Sequence, residues 1–221
     1  MIRALIFDFD GLILDTEGPI YRAWVEIYQE MGADLPLSAW EAWVGGSPQG
    51  FDPCGYLESQ LGRAVDRETL TERASKREEE LILLESALPG VEAYIADAER
   101  LGLKLGVASS SDCPWVYRHL ERLGLREQFD SIKCAEDVKN VKPSPDLYLA
   151  VLDELGVDPE EAIALEDSPN GITAAQAAGL FCVVVPNPLT SQMPTDHADL
   201  HLASLADLPL EDLLSRTDKS R

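Results

Sequence analysis

The sequence predicts an α/β fold in which helices flank a parallel sheet and an all-helical domain is inserted after the first strand. The chain begins with a short apolar strand at residues 2–7. From residue 88 onward, short apolar segments alternate with amphipathic ones, a pattern typical of a parallel sheet covered on both faces. Between these parts, residues 16–85 have almost entirely helical periodicity.

The inserted region is predicted to contain several helices. Apolar residues at three- and four-residue steps over residues 21–31 predict the first. The stretch Ser38-Ala39-Trp40-Glu41 has the pattern of a capping box and predicts a second helix start near Ser38. Residues 44–50, VGGSPQG, predict a loop, and a charged helix is predicted over about 66–85.

The alternating region predicts the remaining strands and helices of the sheet. In chain order they are helix 90–101, strand 105–109, helix 113–123, strand 131–135, helix 145–155, strand 162–166, helix 169–178, strand 182–185, strand 200–202 and helix 210–215. The pairs Ser144-Pro145, Asp158-Pro159 and Ser168-Pro169 each place a capping residue before a proline, which predicts helix starts. The simplest architecture is a Rossmann-like core of residues 1–15 and 87–221 with a helical cap domain of residues 16–86.

Composition excludes several classes of partner. The 221 residues include 40 acidic and 18 basic ones, for a net charge of −22, which would repel a nucleic-acid backbone. No apolar run is long enough for a membrane span, and no signal-peptide pattern is visible. We therefore expect neither a nucleic-acid nor a membrane partner, with a monomer as the default oligomeric state.

The four cysteines indicate a reducing compartment. Cys54, Cys113, Cys134 and Cys182 form no CxxC pair, and a chain of this length does not depend on disulfides. We expect free thiols and a cytoplasmic location.

Polar residues follow the predicted strands at one edge of the sheet. They are Asp8 and Asp10 after the first strand, Ser109, Ser110 and Ser111 after the second, Lys139 and Lys142 after the third, and Glu166 and Asp167 at the end of the fourth. In open parallel sheets, ligands bind beyond the carboxyl ends of the strands. We therefore expect these side chains to form one site.

The charges at this edge predict a metal ion. Two like charges about 4 Å apart repel by roughly 4 kcal/mol at an effective dielectric constant near 20. Four clustered carboxylates would repel one another strongly, and Lys142 and protonation of one carboxylate would each offset part of this charge. Mg²⁺ prefers oxygen ligands and commonly takes one or two carboxylates together with waters and a substrate phosphate. The sequence thus predicts a site for Mg²⁺ and a phosphate group.

Four ordered motifs resemble those of the haloacid dehalogenase superfamily. They are DFDGLILDTE, VASSS, VKPSPD and LEDSPNG, and the resemblance spans residues 3–185. The helical insertion after the first motif is similar to the small helical cap of that family. The branch that the chain resembles most contains β-phosphoglucomutases and sugar-phosphate phosphatases.

The resemblance implies catalytic roles for three residues. Asp8 would be the nucleophile that attacks phosphorus and forms an aspartyl phosphate. Asp10 would protonate the leaving oxygen and then deprotonate the hydrolytic water. Lys142 would neutralise the phosphate and Asp8. The implied activity is Mg²⁺-dependent hydrolysis of a small phosphorylated metabolite, either a sugar phosphate or a nucleotide-like monoester.

The resemblance also implies the residues that bind phosphate and metal. Ser109 and the backbone N–H of Ser110 would hold phosphate oxygens, together with Lys142. Asp8, Asp167 and the backbone carbonyl of Asp10 would bind Mg²⁺ directly, and Glu166 would do so directly or through water.

Three alternatives remain at this point. A hexose-phosphate mutase is disfavoured because Ile20 occupies the place of a cap histidine and no basic residue occurs between Arg22 and Arg63. A response-regulator receiver domain also combines an acidic cluster, Mg²⁺, a hydroxyl residue and a lysine, but it lacks a cap of this size. A catalytically silent binding protein is disfavoured by the intact set of polar residues.

Overall fold

The computed structural model describes residues 1–44 and 52–217, and the chain divides into two compact units. The sheet unit comprises Met1–Leu14, Ser86–Asn187 and the chain from Met193 onward. The helical unit comprises Asp15–Glu85 together with Pro188–Gln192. This last segment belongs to the helical unit, whereas the sequence predicted it in the core.

The sheet unit is built on six parallel strands. They are β1 (Ala4–Phe7), β2 (Lys104–Ala108), β3 (Ser131–Lys133), β4 (Ala162–Glu166), β5 (Phe181–Val184) and β6 (Leu200–His201), in the order β3-β2-β1-β4-β5-β6. Every pair of neighbouring strands is parallel, as predicted. The register places Phe7 opposite both Val107 and Leu165, so the residues that follow β1, β2 and β4 leave the sheet at the same edge.

The helical unit contains α1 (Glu17–Glu30), α2 (Leu37–Val44), α3 (Pro53–Leu61) and α4 (Arg67–Ile82). Its core includes the buried side chains of Trp24, Tyr28, Trp40 and Leu57. The predicted start of α4 is confirmed, because the Asp66 carboxylate caps the helix by accepting from the backbone N–H of Thr69. The predicted loop over residues 44–50 lies, apart from its first residue, outside the described residues.

The sheet unit also contains α5 (Val91–Leu101), α6 (Cys113–Leu123), α7 (Asp146–Leu155), α8 (Pro169–Ala177) and α9 (Leu210–Thr217). The apolar faces of α7 and α8 pack with strand residues such as Ile6, Ala164 and Cys182 in a fully buried core. Each of these helices was predicted, with ends within two residues of those observed. None of the helices in residues 1–44 and 52–217 is both long and apolar enough to cross a membrane.

One predicted helix start is wrong. Asp158-Pro159 begins a short 3-10 turn, Pro159–Glu161, that leads directly into β4. Asp158 and Glu161 form a reciprocal capping box around this turn. The capping pattern specifies only the local start of a turn, and the apolar strand segment after it prevents a helix from continuing.

Candidate active site

Two glycines allow the acidic residues at the sheet edge to pack closely. Asp8 continues β1, because its backbone N–H donates to the carbonyl of Leu165 at 2.9 Å. Gly11 then turns the chain with φ of 85°, and a Cβ at this position would lie 2.3 Å from Oδ2 of Asp167. A Cβ on Gly171, in the first turn of α8, would lie 1.8 Å from Oε2 of Glu166. Glycine is therefore required at both positions if the two carboxylates are to keep these places.

Three carboxylates converge at the carboxyl edge of the sheet. Asp8, Glu166 and Asp167 each place an oxygen within 4.8 Å of the other two, and all three residues are buried. Asn187 Nδ2 donates to Oδ2 of Asp167 at 2.9 Å and orients that carboxylate. Such a concentration of buried negative charge requires a compensating cation.

Lys142 supplies part of that charge from the segment before α7. Its ammonium donates to Oδ1 of Asp8 and, at 2.6 Å, to Oε1 of Glu166. The Tyr148 hydroxyl donates to the same oxygen of Glu166 at 2.5 Å. Sequence reasoning missed Tyr148, because its position on α7 matches the apolar face of that helix, where an aromatic residue predicts core packing.

The pKa values in this cluster reflect its burial and its excess of negative charge. Burial raises the pKa of Asp8 to about 8, with Glu166 acting in the same direction and Lys142 opposing it. Burial lowers the pKa of Lys142, but the charges of Asp8 and Glu166 outweigh it, and the pKa of the ammonium lies above its usual value. Lys142 therefore stays protonated, and ionisation of Asp8 near neutral pH calls for more positive charge than one lysine supplies.

The Asp10 side chain makes its contacts with the segment that links β2 to α6 and with the first turn of α6. Oδ2 of Asp10 accepts from the Ser111 hydroxyl at 2.6 Å and from the Ser109 hydroxyl at 3.4 Å. Oδ1 of Asp10 accepts from the indole Nε1 of Trp115 at 2.9 Å. The sequence placed Ser111 at this edge of the sheet without giving it a role, and it did not assign Trp115 to the site. The run of three serines was a visible signal for Ser111, whereas nothing in the pattern distinguished Trp115.

Two of the three predicted phosphate-binding residues, Ser109 and Ser110, lie in the same segment. Ser109 is buried, and its hydroxyl accepts from the backbone N–H of Ser111 at 3.0 Å, whereas Ser110 is exposed. Asp112 caps α6, because its carboxylate accepts from the backbone N–H of Trp115 at 2.8 Å. The seryl segment thus lies between β2 and the start of α6, and contacts Asp10.

The donor set at the sheet edge fits a hard divalent cation. The carboxylates of Asp8, Glu166 and Asp167 offer oxygen ligands alone, which Mg²⁺ prefers over the nitrogen and sulfur ligands of softer metals. A divalent ion at this place would offset the negative charge that Lys142 leaves uncompensated.

Comparison with known proteins identifies the family that the chain matches. Residues 5–185 match the model of the family described as "Haloacid dehalogenase-like hydrolase". The chain is 49% identical over 214 residues to the "Putative phosphatase YhcW" of Bacillus subtilis (strain 168), covering 97% of both chains. It is 34% identical to the hexitol phosphatase B of Escherichia coli (strain K12), over 96% of this chain and 97% of that protein.

A solved structure has the same fold over its full length. The chain superposes on the crystal structure of a β-phosphoglucomutase from Clostridium difficile with a TM-score of 0.71 and 28% sequence identity. The match covers 100% of this chain and 99% of the other. The fold described above is therefore shared with a solved β-phosphoglucomutase.

Proposed function

The chain belongs to the haloacid dehalogenase-like hydrolases, and on that premise we propose that it is a Mg²⁺-dependent phosphatase that forms an aspartyl phosphate on Asp8. Its phosphatase relatives identify it more broadly as a phosphoric monoester hydrolase of the sugar-phosphate phosphatase type. The substrate we propose is a small phosphorylated metabolite, either a sugar phosphate or a nucleotide-like monoester.

The observation that carries this proposal is the convergence of Asp8 with Glu166, Asp167 and Lys142. A carboxylate held beside a protonated lysine and two further carboxylates is suited to phosphoryl transfer. The lysine attracts the substrate phosphate, and the acidic pair can hold a cation next to the nucleophile. The receiver-domain alternative is excluded by the family match.

In the proposed first step, an Asp8 oxygen attacks phosphorus while the bond from phosphorus to the ester oxygen breaks. Asp10 donates a proton to the departing oxygen, so that the product leaves as an alcohol. Ser111 and Trp115 hold the Asp10 carboxylate during this transfer. Ser109 and the backbone N–H of Ser110 bind phosphate oxygens, and Lys142 offsets their charge.

In the second step, water attacks the phosphorus of the aspartyl phosphate. Asp10 accepts a proton from this water, the acyl phosphate bond breaks, and the Asp8 carboxylate is regenerated along with inorganic phosphate. Asp10 thus ends the cycle in the protonation state in which it began.

Mg²⁺ would be held by the carboxylates of Asp8 and Asp167, by the backbone carbonyl of Asp10, and by Glu166 directly or through water. When bound, it supplies positive charge that stabilises the phosphoryl oxygens in the transition state. The contacts of Lys142 and Tyr148 with Glu166 keep this carboxylate in place for that task.

We propose that the helical unit is the cap domain and that it determines substrate specificity. A second candidate function is that of a hexose-phosphate mutase, which the similarity to a β-phosphoglucomutase favours. Two features disfavour the mutase. Ile20 stands where such mutases have a histidine, and no basic residue between Arg22 and Arg63 is available to hold a second phosphate.

The test is hydrolysis of p-nitrophenyl phosphate with and without Mg²⁺. We expect release of p-nitrophenol that depends on Mg²⁺, is abolished by a chelator and is absent in Asp8→Asn. The matched control is Asp97→Asn, a change on α5 away from the site that should leave the rate unchanged. Equal rates in the protein and in Asp8→Asn would refute the proposal.

A second assay separates the phosphatase from the mutase. The protein is supplied with β-glucose 1-phosphate and the corresponding glucose 1,6-bisphosphate. A phosphatase releases inorganic phosphate, whereas accumulation of glucose 6-phosphate without free phosphate would favour the mutase.

A further inference from the structure

A second cluster of metal-ligating side chains lies outside the site described above. Cys113 is the first residue of α6, Cys134 directly follows β3, and Asp137 ends the short 3-10 turn Ala135–Asp137. One ligand atom from each residue lies within 4.8 Å of the other two. None of these three residues has a part in the proposed phosphatase reaction.

The contacts within this cluster are close and specific. The Cys113 thiol donates to Oδ2 of Asp137 at 3.5 Å, and the sulfur atoms of Cys113 and Cys134 lie within 4.8 Å of each other. The backbone N–H of Cys134 donates to the same oxygen of Asp137 at 2.8 Å and fixes the carboxylate. The carboxylate of Glu136 accepts from the backbone N–H of Cys113 at 3.1 Å and adds negative charge.

We propose that Cys113, Cys134 and Asp137 form a Zn²⁺ site, with water as the fourth ligand. Two thiolates and one carboxylate are typical zinc ligands, and sulfur selects zinc over Mg²⁺. Zinc binds sulfur at about 2.3 Å and carboxylate oxygen at about 2.0 Å, so tetrahedral geometry separates the two ligand atoms by about 3.5 Å. The observed 3.5 Å between Cys113 Sγ and Asp137 Oδ2 matches this separation without movement of either residue.

The surroundings supply the other requirements of a metal site. Cys134 is fully buried, Cys113 is half-buried and Asp137 is exposed, so solvent reaches the cluster from the aspartate side. Asp137 also lines a surface cavity of about 360 Å³, so solvent reaches this ligand residue. Lys133 lines the same cavity, but its ammonium is paired with Glu154 at 2.8 Å.

Zinc at this place would join two segments next to the phosphate-binding residues. The segments already meet through the backbone N–H of Ala135, which donates to the carbonyl of Ser111 at 3.0 Å. Binding exchanges two thiol protons for the ion and links the start of α6 to the chain after β3. The proposed zinc ion would thus stabilise the link between these two segments, whether or not the phosphatase reaction takes place.

The test is direct metal binding to the reduced, metal-free full chain in excess Mg²⁺, which occupies the oxygen-only site. We expect one Zn²⁺ per chain and a melting temperature that rises with zinc concentration. Co²⁺ serves as the spectroscopic probe, because only thiolate ligands give a sulfur-to-cobalt charge-transfer band. Cys134→Ser should lose the band, and Cys54→Ala, which changes another buried cysteine, should keep it.

Asp137→Asn keeps the proposal testable if the cysteine variants fail to fold, because this residue is exposed. We expect its zinc affinity to fall about tenfold or more, while exposed Asp207→Asn keeps the original affinity. The absence of a charge-transfer band in the unmodified protein, displacement of zinc by Mg²⁺, or undiminished affinity in Asp137→Asn would each overturn the proposal.

Discussion

Tyr148 donates its hydroxyl to Oε1 of Glu166 at 2.5 Å, and both side chains are fully buried. Burial raises the pKa of Tyr148 well above its ordinary value, so the phenol keeps the proton that it donates. Lys142 donates to the same oxygen. The acidic site is therefore anchored in the core of the sheet unit through α7.

Tyr148→Phe removes this donor without changing the shape of the ring. We expect the free energy of unfolding to fall by about 1–3 kcal/mol, because a buried carboxylate loses a hydrogen bond. The Mg²⁺ concentration required for half-maximal hydrolysis should rise, since Glu166 is less firmly held. Urea unfolding and a Mg²⁺ titration of the rate measure the two effects.

Tyr94→Phe is the matched control for this change. The Tyr94 hydroxyl is also buried and donates to the carbonyl of Leu208 at 2.7 Å, away from the site. We expect it to lose about 1 kcal/mol of stability with an unchanged Mg²⁺ requirement. A Tyr148→Phe enzyme with the same Mg²⁺ requirement as Tyr94→Phe would show that Glu166 does not depend on this bond.

Trp115→Phe removes the indole donor to Oδ1 of Asp10 while keeping an aromatic ring beside His119. We expect kcat to fall between about tenfold and a hundredfold, because misplacing a proton-transfer group is costly for the rate. KM should change little, since the Trp115 indole donates to Asp10, whose proposed role is proton transfer and not phosphate binding. Steady-state kinetics separate the two parameters.

Trp24→Phe in the helical unit serves as the control, because its indole lies in a separate core. If both variants lost kcat equally, the effect of Trp115 would be one of general stability and not of Asp10 orientation.

The sequence predicted most of the fold because the strands are short apolar runs and the helices begin at recognisable caps. Asp66, Asp112 and Ser168 cap α4, α6 and α8, respectively, through their side chains. The strand order was not predictable, because it depends on which strands pair across the sheet and not on any local pattern. The Asp158 turn shows the same limit, since its cap does not determine whether a helix or a strand comes after the turn.

The candidate site was only partly predictable for a related reason. Charged residues at strand ends stand out from an apolar background, so Asp8, Lys142 and Glu166 were visible in the sequence. The residues that orient them were not, because Tyr148 and Trp115 lie on helices where large aromatic residues ordinarily pack in a core. Each of the two aromatic side chains also donates a hydrogen bond to a carboxylate of the site, and no local sequence pattern reveals that contact.

Gly171→Ala tests whether the position of the Glu166 carboxylate restricts residue 171 of α8 to glycine. Alanine is favoured over glycine in a helix by about 1 kcal/mol, so propensity alone predicts stabilisation. The new Cβ would lie 1.8 Å from Oε2 of Glu166, however, and the carboxylate would have to leave its contacts with Lys142 and Tyr148. We expect lower stability by urea unfolding and loss of most Mg²⁺-dependent hydrolysis.

Gly102→Ala provides the comparison, because this glycine has φ of 71° and open space around its Cβ position. It should lose about 1–2 kcal/mol through backbone strain alone and keep its activity. Retained activity in Gly171→Ala would mean that Glu166 can move without consequence.

Glu154→Gln tests an ion pair that joins α7 to β3. Glu154 accepts from Lys133 at 2.8 Å and from the Ser131 hydroxyl at 2.6 Å, and the pair with Lys133 lowers the pKa of Glu154. A carboxyl whose pKa is lowered by folding stabilises the protein above its ordinary pKa, and this contribution is lost as pH falls through the lowered value.

We therefore expect Glu154→Gln to be less stable than the unmodified protein by less than about 1 kcal/mol near neutral pH, because the pair is partly exposed. The difference should disappear in acid and shrink at high salt. Urea unfolding at several pH values measures it, with exposed Glu99→Gln as the control. A difference that grows in acid would contradict the assigned pair.

Asp167→Asn separates stability from metal binding at the active site. Asp8, Glu166 and Asp167 are buried together, and like charges about 4 Å apart repel by roughly 4 kcal/mol at an effective dielectric constant near 20. Removing one charge should raise the melting temperature of the metal-free protein. The amide keeps an oxygen that can accept from Asn187, so the hydrogen bond at this position need not be lost.

The same variant should lose the stabilisation that Mg²⁺ gives to the unmodified protein, along with hydrolysis, because a metal ligand has been removed. Thermal unfolding in chelator and in Mg²⁺ measures both effects. Asp97→Asn on α5 weakens only an exposed pair with Arg100, so it should shift both curves slightly and by the same amount. A metal-free Asp167→Asn protein that melts below the unmodified one would show that Lys142 and Asn187 already compensate the acidic cluster. Charge repulsion within the cluster would then not require a resident divalent cation, even if Mg²⁺ still bound.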